Sequence, residues 1–351
     1  MSPVAAAASE DRSVEAATVA RWLAHETHAR EVLVTCLERL PGGAIQENWA
    51  LDVTIDAGPW SGSHEWLLRT NARSSVAASL TRTQEFAVLR AAHAHGVVVP
   101  QPLFLCSDAN VTGSEFFIMK RVAGVAAGHR LTREAELVPD ADALAQELGA
   151  NLARLHAIVP PQPALDQVLA PPKPDYALST VRAYRAFLDT LADTYPALEW
   201  ALRWCEIHAP TDAPVALIHR DYRTGNYMVD AGRLAGVLDW EFAGWGDPRE
   251  DIGWFTARCW RFARADLEAG GIGRLEPFLR GYERASGRRR MTAGDLDYWQ
   301  VMAHVRWAVI ALQQARRHMC GGQRSLELAL TGRIVHELEY EALAIIEKAA
   351  R

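Results

Sequence analysis

The sequence predicts an α+β fold in two parts, and three observations carry that reading. Strand-like runs cluster in the first 122 residues around one internal helix. Helical periodicity dominates after Gly124. A polar run from His219 to Asn226 interrupts the helical part between short strand-like pieces. The parts are expected at 1–122 and 123–351.

Taken in order, residues 13–39 carry helical apolar spacing at Val19, Trp22, Leu23, Val32, Leu33 and Leu37, stopped by Pro41-Gly42-Gly43. Strands are expected at Trp49 to Ile55 and Glu65 to Thr70, joined by the turn-rich Gly58-Pro59-Trp60-Ser61-Gly62. Thr81 to His95 reads as a helix ended by Gly96 with Pro100 beyond it. Pro102 to Ser107 and Glu115 to Val122 read as two further strands. In the second part, Leu144, Leu148, Leu152 and Leu155 mark an amphipathic helix over Ala141 to Ile158. Six prolines between Pro160 and Pro174 mark a linker or surface loop. Thr180 to His208 reads as helix, Val215 to His219 and Asn226 to Asp239 as short strands, and the remainder from Ile252 as mostly helix.

Composition bounds the function. The 351 residues are 49% hydrophobic and 23% charged, ordinary for a soluble globular protein. A net charge of −6 makes nucleic acid an unexpected partner. No apolar run approaches the ~18 residues of a membrane helix. Met1 to Glu10 is Ala-rich without a basic segment, so no signal peptide is expected. Five scattered cysteines without a C-x-x-C argue for reduced thiols and a cytoplasmic setting. The only lysines are Lys120, Lys173 and Lys348, none after a glycine, so the Walker A loop is absent.

The chemistry sits in His219-Arg220-Asp221-Tyr222-Arg223-Thr224-Gly225-Asn226 and Val237-Leu238-Asp239. An Asp, an Asn five residues on and an Asp thirteen further match the kinase catalytic loop H-R-D-x-x-x-x-N and the metal-binding Asp beyond it. Asp221 is the candidate base, positioned to take a hydroxyl proton. Asn226 and Asp239 are candidate Mg²⁺ ligands, hard oxygens that leave room for water and phosphate. Each alone has a bland reading: a turn Asp, a left-handed Asn after Gly225, a strand-end cap. His219 suits either hydrogen bonding to the metal segment or a satisfied core position. The expected activity is ATP- and Mg²⁺-dependent phosphoryl transfer to a small hydroxyl-bearing acceptor. The alternative is a nucleotide-binding regulatory protein with little or no transfer.

These stretches resemble the aminoglycoside phosphotransferase and choline kinase group, especially the kinase-like domains associated with acyl-CoA dehydrogenases. Glu65-Trp66-Leu67-Leu68-Arg69, Gln84-Glu85-Phe86, Phe117 to Gly124, Leu152-Ala153-Arg154-Leu155-His156 and Gly246 to Asp251 join the likeness. It implies a protein-kinase-like two-lobed fold: an N-terminal antiparallel sheet with helices, a larger mainly helical C-terminal lobe, and ATP in the cleft. It implies that Arg69 grips phosphate where protein kinases use Lys, that Glu85 pairs with Arg69, and that Met119, Lys120 and Val122 form a hinge whose backbone meets adenine. The Gly42-Gly43 turn stands where a phosphate-covering loop is expected. Asp251 resembles a residue that braces the catalytic loop.

Two departures matter. Arg220 stands where many relatives have Gly, and Asp247-Pro248 follows Asp239 by only eight residues. That leaves no room for a long activation segment, which favours a small acceptor over a peptide. Residues 255–351 carry 16 Lys plus Arg against 11 Asp plus Glu, the wrong sign for a polycationic aminoglycoside. Trp254, Trp260, Trp299 and Trp307, with Arg258, His304 and Arg306, suit either an acceptor pocket or helix-packing core. The run Arg288-Arg289-Arg290 reads as an exposed loop.

Overall fold

The computed structural model describes residues 14–41, 46–71, 79–212, 214–287, 291, 293–321 and 324–350. The Gly42-Gly43 turn, Met1 to Glu10 and Arg288-Arg289-Arg290 lie outside them. The fold is α+β and kinase-like. The chain divides into two compact units, one running to Arg90 and including Pro100–Arg121, the other made of Ala91–Val99 and Val122 onward.

The first unit begins with α1 (Ala16–Glu26), then β1 (Glu31–Arg39), β2 (Gln46–Asp56), β3 (Gly62–Asn71), α2 (Arg82–Ala94), β4 (Pro102–Cys106) and β5 (Phe116–Lys120). The strands form one antiparallel sheet in the order β1-β2-β3-β5-β4. The helix expected over 13–39 is corrected: it stops at Glu26 and the rest is a strand. Thr27 Oγ1 donates to the Leu23 carbonyl and His28 turns to φ 53°, ending the helix. Beyond it the β-branched Val32, Val34 and Thr35 fit a pleated surface better than a helix.

Strand alternation sorts the sheet into two faces. Leu51, Val53, Ile55, Trp66, Leu68, Phe116 and Ile118 share a core with Val19 and Leu23 of α1. The intervening positions, Arg69 and its register partner Phe117, point to the other face. There α2 supplies Phe86, whose ring lies 5.8 Å from that of Phe117. The same pleat that buries Leu68 therefore delivers Arg69 to α2.

The second unit holds α3 (Gly128–Leu131), α4 (Ala141–Leu155), α5 (Pro163–Asp166), α6 (Tyr176–Leu188), α7 (Pro196–Ile207), β6 (Ala216–Ile218), β7 (Tyr227–Asp230), β8 (Arg233–Val237), β9 (Gly244–Gly246), α8 (Pro248–Thr256), α9 (Leu275–Ser286), α10 (Ala293–Met319), α11 (Leu326–Thr331) and α12 (Val335–Ala349). The single helix expected over 180–208 is two, because Pro196 has no N–H for a helix interior and starts α7 instead. The strand expected over 226–239 is the hairpin β7–β8, turned by Ala231 and Gly232, both at positive φ.

Helix α4 is capped by Asp140, whose side chain accepts from the Ala143 N–H at 2.9 Å. Its Leu144, Leu148, Leu152 and Leu155 are buried. It crosses α9 at backbone contact: a Cβ at Gly149 would lie 2.0 Å from the Phe278 carbonyl oxygen, and one at Gly281 would lie 2.0 Å from that of Gln146. Helix α8 starts with the Asp247 cap and Pro248 at its first turn. Gly253 lets it meet α10, since a Cβ there would sit 2.4 Å from Trp299 Cβ.

Candidate active site

The loop from His219 to Asn226 leaves β6 and enters β7, and buried groups from α4 and α8 fix it. Asp251, fully buried on α8, accepts from the backbone N–H of His219 and of Arg220, both at 2.7 Å. His156, at the end of α4, lies 3.1 Å from Asp251 through Nε2 and 2.9 Å from the Tyr282 hydroxyl through Nδ1. Burial alone would raise the Asp251 pKa, yet the hydrogen bond and charge of His156, with His219, hold it below the usual carboxylate range. Tyr222 donates to the Leu148 carbonyl of α4 at 3.0 Å. The brace expected of Asp251 is thus made of hydrogen bonds to the loop backbone.

His219 joins the two halves of the motif. Its Nε2 is 2.8 Å from the Leu238 carbonyl, which can only accept, so Nε2 carries the proton. Nδ1 then accepts from the Asp221 N–H at 3.2 Å. The Leu238 N–H donates to the Asn226 carbonyl at 2.8 Å. Asn226 and the residue before Asp239 are therefore neighbours along the backbone. Asp239 is half-buried and held at φ 65°, a left-handed conformation uncommon for non-glycine residues but enriched in Asp and Asn.

Asp221 is partly buried, its side chain 15% exposed. Oδ2 accepts from Asn226 Nδ2 at 2.5 Å, and the same nitrogen reaches the Asp221 carbonyl at 3.0 Å. Because both partners only accept, the nitrogen end of the Asn226 amide faces Asp221, and its oxygen end is turned to other partners. Oδ1 accepts from Trp254 Nε1 at 2.9 Å and from Arg223 Nε at 3.1 Å. The sequence leaves Trp254 open between an acceptor pocket and helix packing, and does not single out Arg223. The signal was present: Asp251 and Trp254 stand three residues apart on one helix face, so a helix that braces the loop backbone also reaches the loop side chain.

Arg220 is satisfied locally. It sits at φ 64°, where Gly is the easier residue. Its Nε donates to the Tyr176 hydroxyl at 3.1 Å, Nη2 to the Trp245 carbonyl at 2.8 Å and Nη1 to that of Phe242 at 3.4 Å. Burial opposes its charge, while Tyr176 and Glu250 raise its pKa.

Trp254, Trp260, Trp299 and His304 are buried, which matches the helix-packing reading. Trp254, Trp299 and Arg306 also line one small cavity with Tyr184, Glu250 and Met302. Arg258 pairs with Glu341 at 2.7 Å.

In the first unit, Arg69 Nε lies 3.0 Å from Glu85, so the two residues are brought together. Arg69 Nη1 also donates to Asn48 at 3.2 Å. Glu85, 1% exposed, is shared with the buried Arg82, a partner the sequence did not reveal. Met119 is buried in β5 and Lys120 is exposed. The Lys120 N–H donates to the Gln101 carbonyl at 2.9 Å and the Arg121 N–H to that of Glu65 at 3.2 Å. Val122 follows, half-buried.

The profile of the phosphotransferase enzyme family matches residues 36–293. Acyl-CoA dehydrogenase family member 11 of Gallus gallus is 33% identical over 180 residues, covering 49% of this chain and 22% of that protein. Acyl-CoA dehydrogenase family member 10 of Mus musculus is 24% identical over 271 residues, covering 73% of this chain and 24% of that protein. The chain thus spans about a quarter or less of these two relatives. Among solved structures, a Ralstonia eutropha protein classed with the aminoglycoside phosphotransferases superposes with a TM-score of 0.75 at 20% identity, covering 95% of this chain and 98% of that one. An aminoglycoside phosphotransferase in ternary complex with ADP and hygromycin B gives 0.59 at 19% identity over 95% and 99%. A choline/ethanolamine kinase family protein of Mesorhizobium loti gives 0.55 at 16% over 89% and 88%. The family match covers well over half of the sequence, and the chain belongs to the phosphotransferase enzyme family.

Proposed function

We propose that this protein is a small-molecule kinase that uses ATP and Mg²⁺ to phosphorylate a hydroxyl group. The observation that carries the reading is Asp221, a partly buried carboxylate pinned by Asn226, Trp254 and Arg223 on a loop braced from two helices. A base held this way meets an incoming hydroxyl with little reorganisation and takes its proton as the new O–P bond forms.

Asn226 and Asp239 fit Mg²⁺. The Asn226 nitrogen is committed to Asp221, which presents the amide oxygen elsewhere, and Asp239 adds a carboxylate. The described residues contain no cluster of three or more His, Cys, Asp or Glu suited to a metal. Two protein oxygens completed by water and phosphate is a usual set for this ion. Held by Asn226 and Asp239, Mg²⁺ would offset the negative charge of the phosphates during transfer. Arg69, fixed by Glu85 and Asn48, is the phosphate-gripping cation, and Arg keeps its charge and offers paired donors. In the hinge, the N–H groups of Lys120 and Arg121 are engaged, so Val122 is the residue whose N–H is read as meeting adenine. Relatives of this fold crystallised with ADP or AMP-PNP support the nucleotide.

The acceptor is read as small and not polycationic. Only eight residues separate Asp239 from Pro248, and β9 lies within that interval. Arg223, 3.1 Å from the base, would repel an acceptor ammonium. A regulatory protein without transfer needs no complete Asp221, Asn226 and Asp239 set, and this chain has all three.

Thermal shift with ATP, with and without Mg²⁺, tests the nucleotide; ligand at ~100 times Kd adds about 2.7 kcal/mol. ADP release with a panel of alcohols then separates kinase from sensor. Full turnover in Asp221→Ala would remove the base from the mechanism.

A further inference from the structure

The carboxylate of Asp221 is asymmetric, and the asymmetry points to which oxygen does the chemistry. A carboxylate oxygen offers about two lone pairs in its plane. On Oδ1 both are engaged, by Trp254 Nε1 at 2.9 Å and Arg223 Nε at 3.1 Å. On Oδ2 one is engaged, by Asn226 Nδ2. We infer that Trp254 and Arg223 are positioning residues that anchor Asp221 through Oδ1, leaving Oδ2 as the atom that receives the acceptor's proton. This inference rests on the kinase reading above.

The two donors to Oδ1 belong to one aromatic–cation stack. The Arg306 guanidinium lies over the Trp254 ring at 4.5 Å from its centroid. Trp254 packs on Trp260 at 5.0 Å between centroids. Arg223 lies over Trp260 at 4.6 Å. Glu250 fixes the far end through Arg306, 3.3 Å away. Trp254 is 2% exposed and its indole N–H points to Asp221. Arg223 folds back across the loop, which Gly225 at φ 107° permits; a Cβ there would lie 3.0 Å from Arg223 Nη1. Each ring and guanidinium is held by its neighbour, so the stack sets the rotamer of the base.

The transfer then balances simply. The acceptor O–H bond breaks with its proton passing to Oδ2. The acceptor oxygen bonds the γ-phosphorus, and the bond from that phosphorus to the departing ADP oxygen breaks. Oδ1 keeps both donors throughout, so the carboxylate does not rotate as its charge is neutralised.

Two readouts test this. In a proton–nitrogen correlation spectrum, the Trp254 indole resonance is identified by its loss in Trp254→Phe. It is expected to move clearly in Asp221→Asn, because the amide is a weaker acceptor than the carboxylate. An unmoved resonance would overturn the anchoring contact without any assay of turnover. The second readout is hydrolysis of MgATP, with water standing in for the acceptor. Trp254→Phe and Arg223→Gln should each lower kcat about tenfold or more with KM for ATP unchanged, and Arg223→Lys should recover part of the Arg223→Gln loss. Wild-type kcat in both variants, alongside a large loss in Asp221→Asn, would sink the positioning role and leave the kinase reading standing. Unchanged hydrolysis in Asp221→Asn would remove Asp221 as the base and overturn this inference with it, while absence of ADP release from the wild type with any alcohol is what would sink the kinase reading. Arg223 is 26% exposed, so its variants keep the test usable if Trp254→Phe does not fold.

Discussion

Arg220 Nη2 donates to the Trp245 carbonyl at 2.8 Å, tying the residue before the candidate base to the segment just beyond Asp239. In a kinase with a long activation segment, an Arg at this place is free to pair with a phosphate. Here backbone carbonyls and Tyr176 engage it, and a Cβ at Gly244 would lie 2.9 Å from its Nη1. The guanidinium therefore acts as a fixed clamp on the short connection into α8.

The clamp makes a prediction about two variants that remove the same bonds. Arg220→Ala and Arg220→Gly both leave partly buried carbonyls without their donor, a loss of about 1–3 kcal/mol. The Gly variant also relieves the left-handed backbone, worth roughly 1–2 kcal/mol. Urea unfolding should therefore rank wild type above Arg220→Gly above Arg220→Ala. An Ala variant as stable as the Gly one would mean that the φ of 64° is not held in solution.

Asp251 should dominate stability at low pH. Its pKa is depressed in the folded state, against the push of burial, by His156 and His219. The unfolded chain then binds the proton first, so the contribution is complete above the ordinary Asp value of ~3.9 and is lost as pH falls through the depressed one. Asp251→Ala is expected to cost on the order of 3–5 kcal/mol at pH 7, the range for breaking a buried pair, and to flatten the acid limb below pH ~4. Unfolding midpoints between pH 3 and pH 7, compared with wild type, check both.

His304 acts in a separate window. Burial, with Arg261 and Arg258 nearby, lowers its pKa from 6.5 to about 4; Nδ1 bonds the Gln300 carbonyl at 2.7 Å and Nε2 has no hydrogen-bond partner among the described residues. The unfolded His takes a proton near 6.5 and the folded one does not until about 4. Stability is thus full above that upper value and falls by on the order of 3 kcal/mol across the interval. His304→Gln should lose this slope, measured as urea midpoints at pH 7 and pH 5. An identical pH dependence in the variant would show that the imidazole is accessible and protonates normally.

The spacing of the candidate site was more legible in the sequence than the contacts around it. The spacing of Asp221, Asn226 and Asp239 is local, so it can be read from a single chain. Strands β2 to β5 and helix α4 were legible for the same reason: their alternation and four-residue steps report burial directly. β1 was not, because Val32, Leu33 and Leu37 satisfy helical and extended spacing alike, and only the His28 turn decides. Contacts between distant segments were harder to read: Trp254 lies 33 residues from Asp221 and is signalled only by the helix face it shares with Asp251. Arg82, three residues before Glu85 on α2, was a local partner left unread.

That shared carboxylate gives the last prediction. Glu85 is 1% exposed and lies between Arg69 and Arg82, both nearly buried. Neutralising it removes the carboxylate that two buried guanidinium groups share, so Glu85→Gln should destabilise the protein by on the order of 3–5 kcal/mol. Arg69→Lys keeps a cation beside Glu85 but loses the fork that also reaches Asn48. It should leave the melting temperature within a few degrees of wild type and raise KM for ATP about tenfold, a cost of ~1.4 kcal/mol. The two variants thus separate holding the arginine from using it. If Arg69→Lys melted far below wild type with an unchanged KM, Arg69 would be a core ion and the nucleotide's cation would have to be sought elsewhere.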